Sequence, residues 1–137
     1  MDEEPIALDE DWVLREDEPM YRKLRIYETA SRLSDDVWAS VTVWEAFAKD
    51  TLGEQVVRSA DSSAANLAEG SGRGTNPELL RFARIARGSP CETQHWVTRA
   101  ARRNLLESQK VNQLQTSLES LLKQLNAFIA TMSKKQP

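Results

Sequence analysis

The sequence predicts an all-α protein built as an antiparallel, up-down-up-down bundle of four helices. Three observations predict it. Val111, Leu114, Leu118, Leu121, Leu125, Phe128 and Met132 recur at alternating three- and four-residue steps, which is an unbroken heptad seam. Strand signals are nearly absent apart from the short Val41-Thr42-Val43 stretch, so period-2 alternation has little to act on. The five Gly and five Pro residues mostly sit between apolar-periodic segments, where turns are expected.

The chain is 137 residues long, which bounds it to one domain large enough to hold a core. Residues 1–18 read as an acidic tail, 19–133 as the bundle and 134–137 as a short C-terminal tail. Residues 1–20 carry nine acids and one base, a net of −8, and residues 21–137 carry 17 bases and 12 acids, a net of +5. Like charges repel, so the tail reads as solvated. Ile6, Leu8, Trp12, Val13 and Leu14 are its apolar residues, and docking of Trp12 on the body is the alternative reading.

Helix one is expected from about Pro19, a good first-turn residue, to about Val43. Its stripe would be Met20, Leu24, Tyr27, Ser31, Ser34, Trp38 and Val41. Trp44, Ala46 and Phe47 would form an apolar corner. Helix two is expected to start at Thr51, because Thr51-Leu-Gly-Glu54 has capping-box spacing. It would end at Glu69, with Gly70 as left-handed cap. Its interior is small, from Ser59 and Ala60 to Ala68, which permits close approach of a neighbouring helix. Helix three is expected from Thr75-Asn76-Pro77-Glu78, again a capping box, to about Asn104. Pro90 removes a backbone donor and should kink it, and Ser89-Pro-Cys-Glu92 has the pattern to cap a new helix. Helix four runs from Ser108 to about Met132. Leu122 and Ile129 widen its seam to the width of a helix touching two neighbours.

Composition excludes several function classes. The single Cys91 rules out an intrachain disulfide framework and a Cys-cluster zinc site, and a lone thiol fits a reducing compartment. No apolar run approaches the ~20 residues needed to span a bilayer. The N-terminus is acidic, unlike a secretory signal. A cytoplasmic protein without cofactor, metal or membrane partner is the expectation.

The main candidate site is a basic stripe on helix three. At about 100° per residue, Arg81, Arg84, Arg99, Arg102, Arg103 and the single His95 fall within an arc of roughly 100°. Phe82, Ala83, Ala86, Trp96, Val97, Ala100 and Ala101 fall on the core side. Guanidinium forks suit phosphate, and a basic stripe is the footprint of nucleic-acid binding. The bland reading is a solvated face paired with acids of a neighbouring helix or subunit. A break at Pro90 would split the stripe.

Weaker candidates follow. Gly70-Ser-Gly-Arg73-Gly74 before a helix start offers free N–H groups for an anion, yet it lacks the Gly-Lys-Ser/Thr of a P-loop and reads better as a turn. Glu92-Thr-Gln-His95 has di-iron spacing, but such sites need two of these motifs and the chain has one His. Asn66 and Glu69 flank a tight helix end. A buried Asn66 with Glu69 paired to Arg73 or Arg84 is the structural reading, since no nucleophile joins them. Asp35, Asp36 and Asp61 read as surface or pairing carboxylates. Trp38, Trp44 and Trp96 read as core or contact anchors.

A family resemblance rests on Leu24-Arg-Ile-Tyr27, on Trp44 to Thr51, on the Ala60–Arg73 run containing Ala-Asn-Leu-Ala-Glu-Gly, on Arg81-Phe-Ala-Arg-Ile-Ala-Arg-Gly-Ser89 and on Glu92-Thr-Gln-His-Trp96. On these residues the chain resembles the bacterial four helix bundle protein family over about residues 20–132, and its cyanobacterial-type members in particular. That family includes proteins encoded by intervening sequences within 23S ribosomal RNA genes. Pro90 departs from its pattern, which usually has a leucine-like helix former there. The resemblance implies a ring-like homopentamer, no established enzymatic activity, and Asn66, Glu69, Gly70 and Gly88 as structural motif residues. A protein of related fold, the accessory variability protein of diversity-generating retroelements, binds a reverse transcriptase and nucleic acid through a basic surface. The partners so implied are other copies of the chain, RNA or DNA, or a reverse-transcriptase-like protein, with Arg73 and the helix-three stripe in contact. Independently of the resemblance, the division of charge suggests that residues 2–18 fold back as an intramolecular mimic of an anionic ligand and weaken binding until displaced.

Overall fold

The apolar spacing is realised as four helices in a computed structural model that describes residues 24–135. The acidic tail, the expected start of helix one at Pro19 and the last two residues lie outside the described residues.

Helix α1 is Arg25–Val41, ending two residues before the expected Val43. Its buried apolar residues are Ile26, Ala30, Leu33, Val37 and Val41, at helical steps of four and three. The expected stripe is therefore rotated. Of its members Ser34 and Val41 are buried, and Trp38 is 60% exposed. Aliphatic residues took the core because they pack without a polar atom to satisfy, whereas Trp38 keeps its indole at the surface.

Helix α2 is Glu54–Gly72, and two helical turns precede it: an α-turn at Ala46–Ala48 and a π-turn at Lys49–Gly53. The backbone is already helical at Ala48 and Gly53. Thr51 is consequently not a cap. Its hydroxyl donates to the Phe47 carbonyl at 2.7 Å, and no side chain caps at Glu45 or Gly53. The wide turn lets α1 and α2 meet closely, since a Cβ at Gly53 would lie 2.7 Å from Val41 Cγ1. The corner is only partly apolar burial. Trp44 is buried, but Phe47 is 78% exposed.

Gly70 is not a left-handed cap either. The helix continues through it to Gly72, and positive φ occurs at Gly74 (85°). Gly70 is buried against α3, where a Cβ would stand 2.6 Å from Phe82 Cβ and 3.3 Å from Leu79 Cα. The run Gly70–Gly74 is thus mostly helix, leaving only Arg73–Thr75 as the turn.

Helix α3 is Asn76–Arg102, with Pro77 in the first turn and the Thr75 hydroxyl accepting from the Glu78 N–H; the other half of the expected capping box does not form, because the Glu78 carboxylate takes Arg81 Nε instead. It runs unbroken through Pro90, so Ser89-Pro-Cys-Glu92 starts no new helix. Proline leaves the carbonyl four residues back without its donor. That carbonyl, Ala86, accepts from the buried Ser63 hydroxyl of α2 at 2.9 Å. Close by, the Thr93 hydroxyl lies 2.9 Å from both the Ser59 hydroxyl and the Ser89 carbonyl. At its end Asn104 takes the left-handed conformation (φ 61°), and the Leu105 N–H reaches back to the Ala100 carbonyl at 2.9 Å, which is a Schellman closure.

Helix α4 is Ser108–Lys134. Leu114, Leu118, Leu121, Leu125, Ile129 and Met132 are buried, and Val111 and Phe128 pack partly buried against them. Fully burying one leucine is worth about 1.5–3 kcal/mol, so the four buried leucines of this seam are a major part of the core. Helices α1–α2, α2–α3, α3–α4 and α4–α1 pack pairwise. Cross-helix partners run in descending register: Gln94 with Gln115, Arg87 with Asn126 and Arg84 with Ser133. Among the described residues no helix is long and apolar enough to cross a membrane.

Candidate nucleic-acid interface

Because α3 is continuous, the helical wheel holds across Pro90, and the stripe is one face. Arg81, Arg84, His95 and Arg102 are exposed on it and Arg99 is half-buried. Arg103 leaves the helical arc as the C-cap residue, with φ −96° and ψ 11°. The stripe is not uniform. Between Arg84 and Arg99 its exposed surface is Ile85, Gly88, Cys91, Glu92 and His95. At 1.5 Å rise per residue this separates two basic clusters by about 22 Å.

The clusters differ in how much charge is already answered. At the near end Arg81 Nε pairs with Glu78 at 2.8 Å, and Arg73 pairs with Glu69 at 3.1 Å. Their guanidinium carbons lie 4.5 and 5.2 Å from the centroid of Phe82, a cation–π clamp on a buried ring. Arg84 meets only the neutral Ser133 hydroxyl, at 3.4 Å. At the far end Arg99, Arg102 and Arg103 form no ion pair among the described residues, and Arg99 Nε is buried without a hydrogen-bond partner. They close the last turn, where the helix dipole favours cations. The unanswered positive charge is therefore Arg84 and the Arg99–Arg103 cluster, a distinction that sequence could not make because it depends on which carboxylate sits within reach.

His95 stacks edge-on against Trp96 at 4.7 Å, and the Trp96 indole donates to Glu92 at 2.9 Å. Glu92 and His95 therefore do not converge on a common point, and no group of His, Cys, Asp or Glu able to hold a metal occurs among the described residues. Asn66 is half-buried and bonds within its own helix, to the Ser62 carbonyl at 2.8 Å and hydroxyl at 3.0 Å. It does not meet Glu69 or Arg73. Gly88 is exposed and helical, with open space where a Cβ would stand. Asp61 accepts from the Ser34 hydroxyl. Sequence reasoning missed buried Glu28, which pairs with Arg32 at 3.6 Å, and nothing in the heptad pattern marks it.

Fold and face together define a small four-helix protein with a basic helix surface and no convergent catalytic group among the described residues. Residues 22–127 match the family described as 23S rRNA-intervening sequence protein. The chain belongs to that family. Among solved structures it is similar to a protein of unknown function from the S23 ribosomal protein family of Bacteroides thetaiotaomicron, at 16% identity, covering 76% of this chain and 97% of that one with a TM-score of 0.67. At that identity the likeness shows the fold alone. No curated protein matches the chain.

Proposed function

We propose that this is a non-enzymatic, cytoplasmic, self-assembling protein, an antiparallel bundle arranged as a ring-like homopentamer, that binds RNA, DNA or a nucleic-acid enzyme through α3. The observation that carries the binding reading is the unanswered charge of Arg84, Arg99, Arg102 and Arg103. Arg73 and Arg81, already paired in cis, contribute less. The descending register of α3 against α4 supports the antiparallel arrangement. Family membership supports the link to ribosomal RNA genes.

Four phosphate contacts to a single strand give a slope of log affinity on log salt of about −3. Titration of the full chain with single-stranded RNA at several salt concentrations tests this, and a flat response would sink the reading. Gene context is a cheaper test: a position inside a ribosomal RNA gene, or beside a reverse transcriptase gene, supports it.

A second reading has its own observation. Ile85, 47% exposed, and the bare backbone at Gly88 sit in the middle of the face, where a close-packed protein neighbour would fit better than phosphate. In that reading the arginines pair with acids of an adjacent subunit, and their reversal breaks the ring without any nucleic acid being involved.

A further inference from the structure

A second surface lies where α1 turns into α2. Trp38 and Val43 are 60% and 81% exposed there; Phe47, 78% exposed, faces a separate groove that it lines with Arg103 and Leu105. Beside Trp38 a groove of about 240 Å³ is lined by Val41, Gly53 and Val57 together with Lys49 and Arg58. Glu54 also lines it and pairs with Arg58 at 3.7 Å. Both partners are well exposed, so that pair is weak. Gly53 contributes only backbone to the groove, held there by its approach to Val41.

The groove asks for a short apolar segment flanked by negative charge, and this chain has one. Asp9-Glu-Asp-Trp12-Val-Leu-Arg-Glu-Asp-Glu18 places three consecutive apolar residues between six carboxylates. We propose that residues 9–18 of the chain dock in this groove, with Trp12 against Trp38 and Val57 and the flanking carboxylates facing Lys49 and Arg58. The tether is long enough. The twelve residue steps from Trp12 to Leu24 span up to about 40 Å when extended, whereas Trp38 lies about 21 Å along α1 from Leu24. Charge favours this occupant, because residues 1–20 carry a net of −8, opposite in sign to the Lys49 and Arg58 side chains that line the groove. Burying an indole on both sides offsets the cost of ordering the segment, which acidic self-repulsion alone would keep solvated.

The indole N–H signals of the four tryptophans in the ¹⁵N-labelled full chain test this directly. Trp12→Ala is expected to shift the Trp38 indole signal and the Val57 methyl signals. Trp38→Ala is expected to move the Trp12 signal to the position of a free indole. Lys49→Glu with Arg58→Glu, which leaves the core untouched, is expected to move it the same way. An unchanged Trp38 signal in Trp12→Ala, or an unchanged Trp12 signal in the charge-reversed chain, overturns the proposal. So does a Trp12 shift that grows with protein concentration, which would assign the groove to the tail of another copy. None of these signals depends on nucleic acid, so they stand apart from the fate of the α3 face.

Discussion

A β-carbon at Gly70 would stand 2.6 Å from Phe82 Cβ, whereas one at Gly88 would meet nothing within 4 Å. Both glycines belong to the motif that carries the family resemblance, and a substitution separates their roles. Gly70→Ala forces α2 and α3 apart and is expected to destabilise the protein by about 1–3 kcal/mol, the usual cost of overpacking. Gly88→Ala sits on an exposed helix turn and is expected to stabilise it by roughly 0.5–1 kcal/mol. Urea unfolding of both variants checks the pair. A loss of stability in Gly88→Ala would show that another chain covers this face. The sequence marks Gly70 as special but suggests a cap, because a cap is the common reason for glycine near a helix end. The close approach to Phe82 depends on a partner twelve residues away.

Helix α3 depends on a contact between elements. Ser63→Ala removes the donor that serves the Ala86 carbonyl, and leaving a buried acceptor unpaired costs about 1–3 kcal/mol. In a Pro90→Ala background the residue-90 N–H is restored, so the same substitution should cost clearly less. A double-mutant cycle by thermal or urea unfolding reads the coupling; additive losses would contradict the pairing. This is why Pro90 misleads at the level of sequence. The break is local and visible, but the hydroxyl that mends it comes from 23 residues upstream. Thr51 misleads in the same way: its spacing to Glu54 is that of a cap although the helix has already begun. Thr51→Ala is accordingly expected to cost well under the ~1 kcal/mol typical of a lost N-cap. In contrast, the buried leucines of α4 and the Thr75 half of the capping box are legible, because each is set by residues within a turn or two of one another.

At the scale of the whole molecule, charge is the quantity that sequence both hides and reveals. A formal net of −3 suggests no anionic partner, yet its division into an acidic segment and a basic body, and the wheel of α3, locate the surface of interest. What the wheel cannot give is the pairing state. Two of the seven basic residues singled out, Arg73 and Arg81, already sit in exposed ion pairs with Glu69 and Glu78, which lower their positive potential without cancelling it. The solution mass of the full chain is expected at five times 15.5 kDa, and light scattering measures it; a monomer would remove the ring from the account.

The most direct test reverses the far cluster. Arg99→Glu, Arg102→Glu and Arg103→Glu together, in a chain whose melting temperature and solution mass are checked, should abolish salt-sensitive binding of single-stranded RNA while the assembly keeps its mass. Unchanged RNA affinity would contradict the claim. Loss of the assembled mass would instead assign those arginines to a subunit contact and end the nucleic-acid reading.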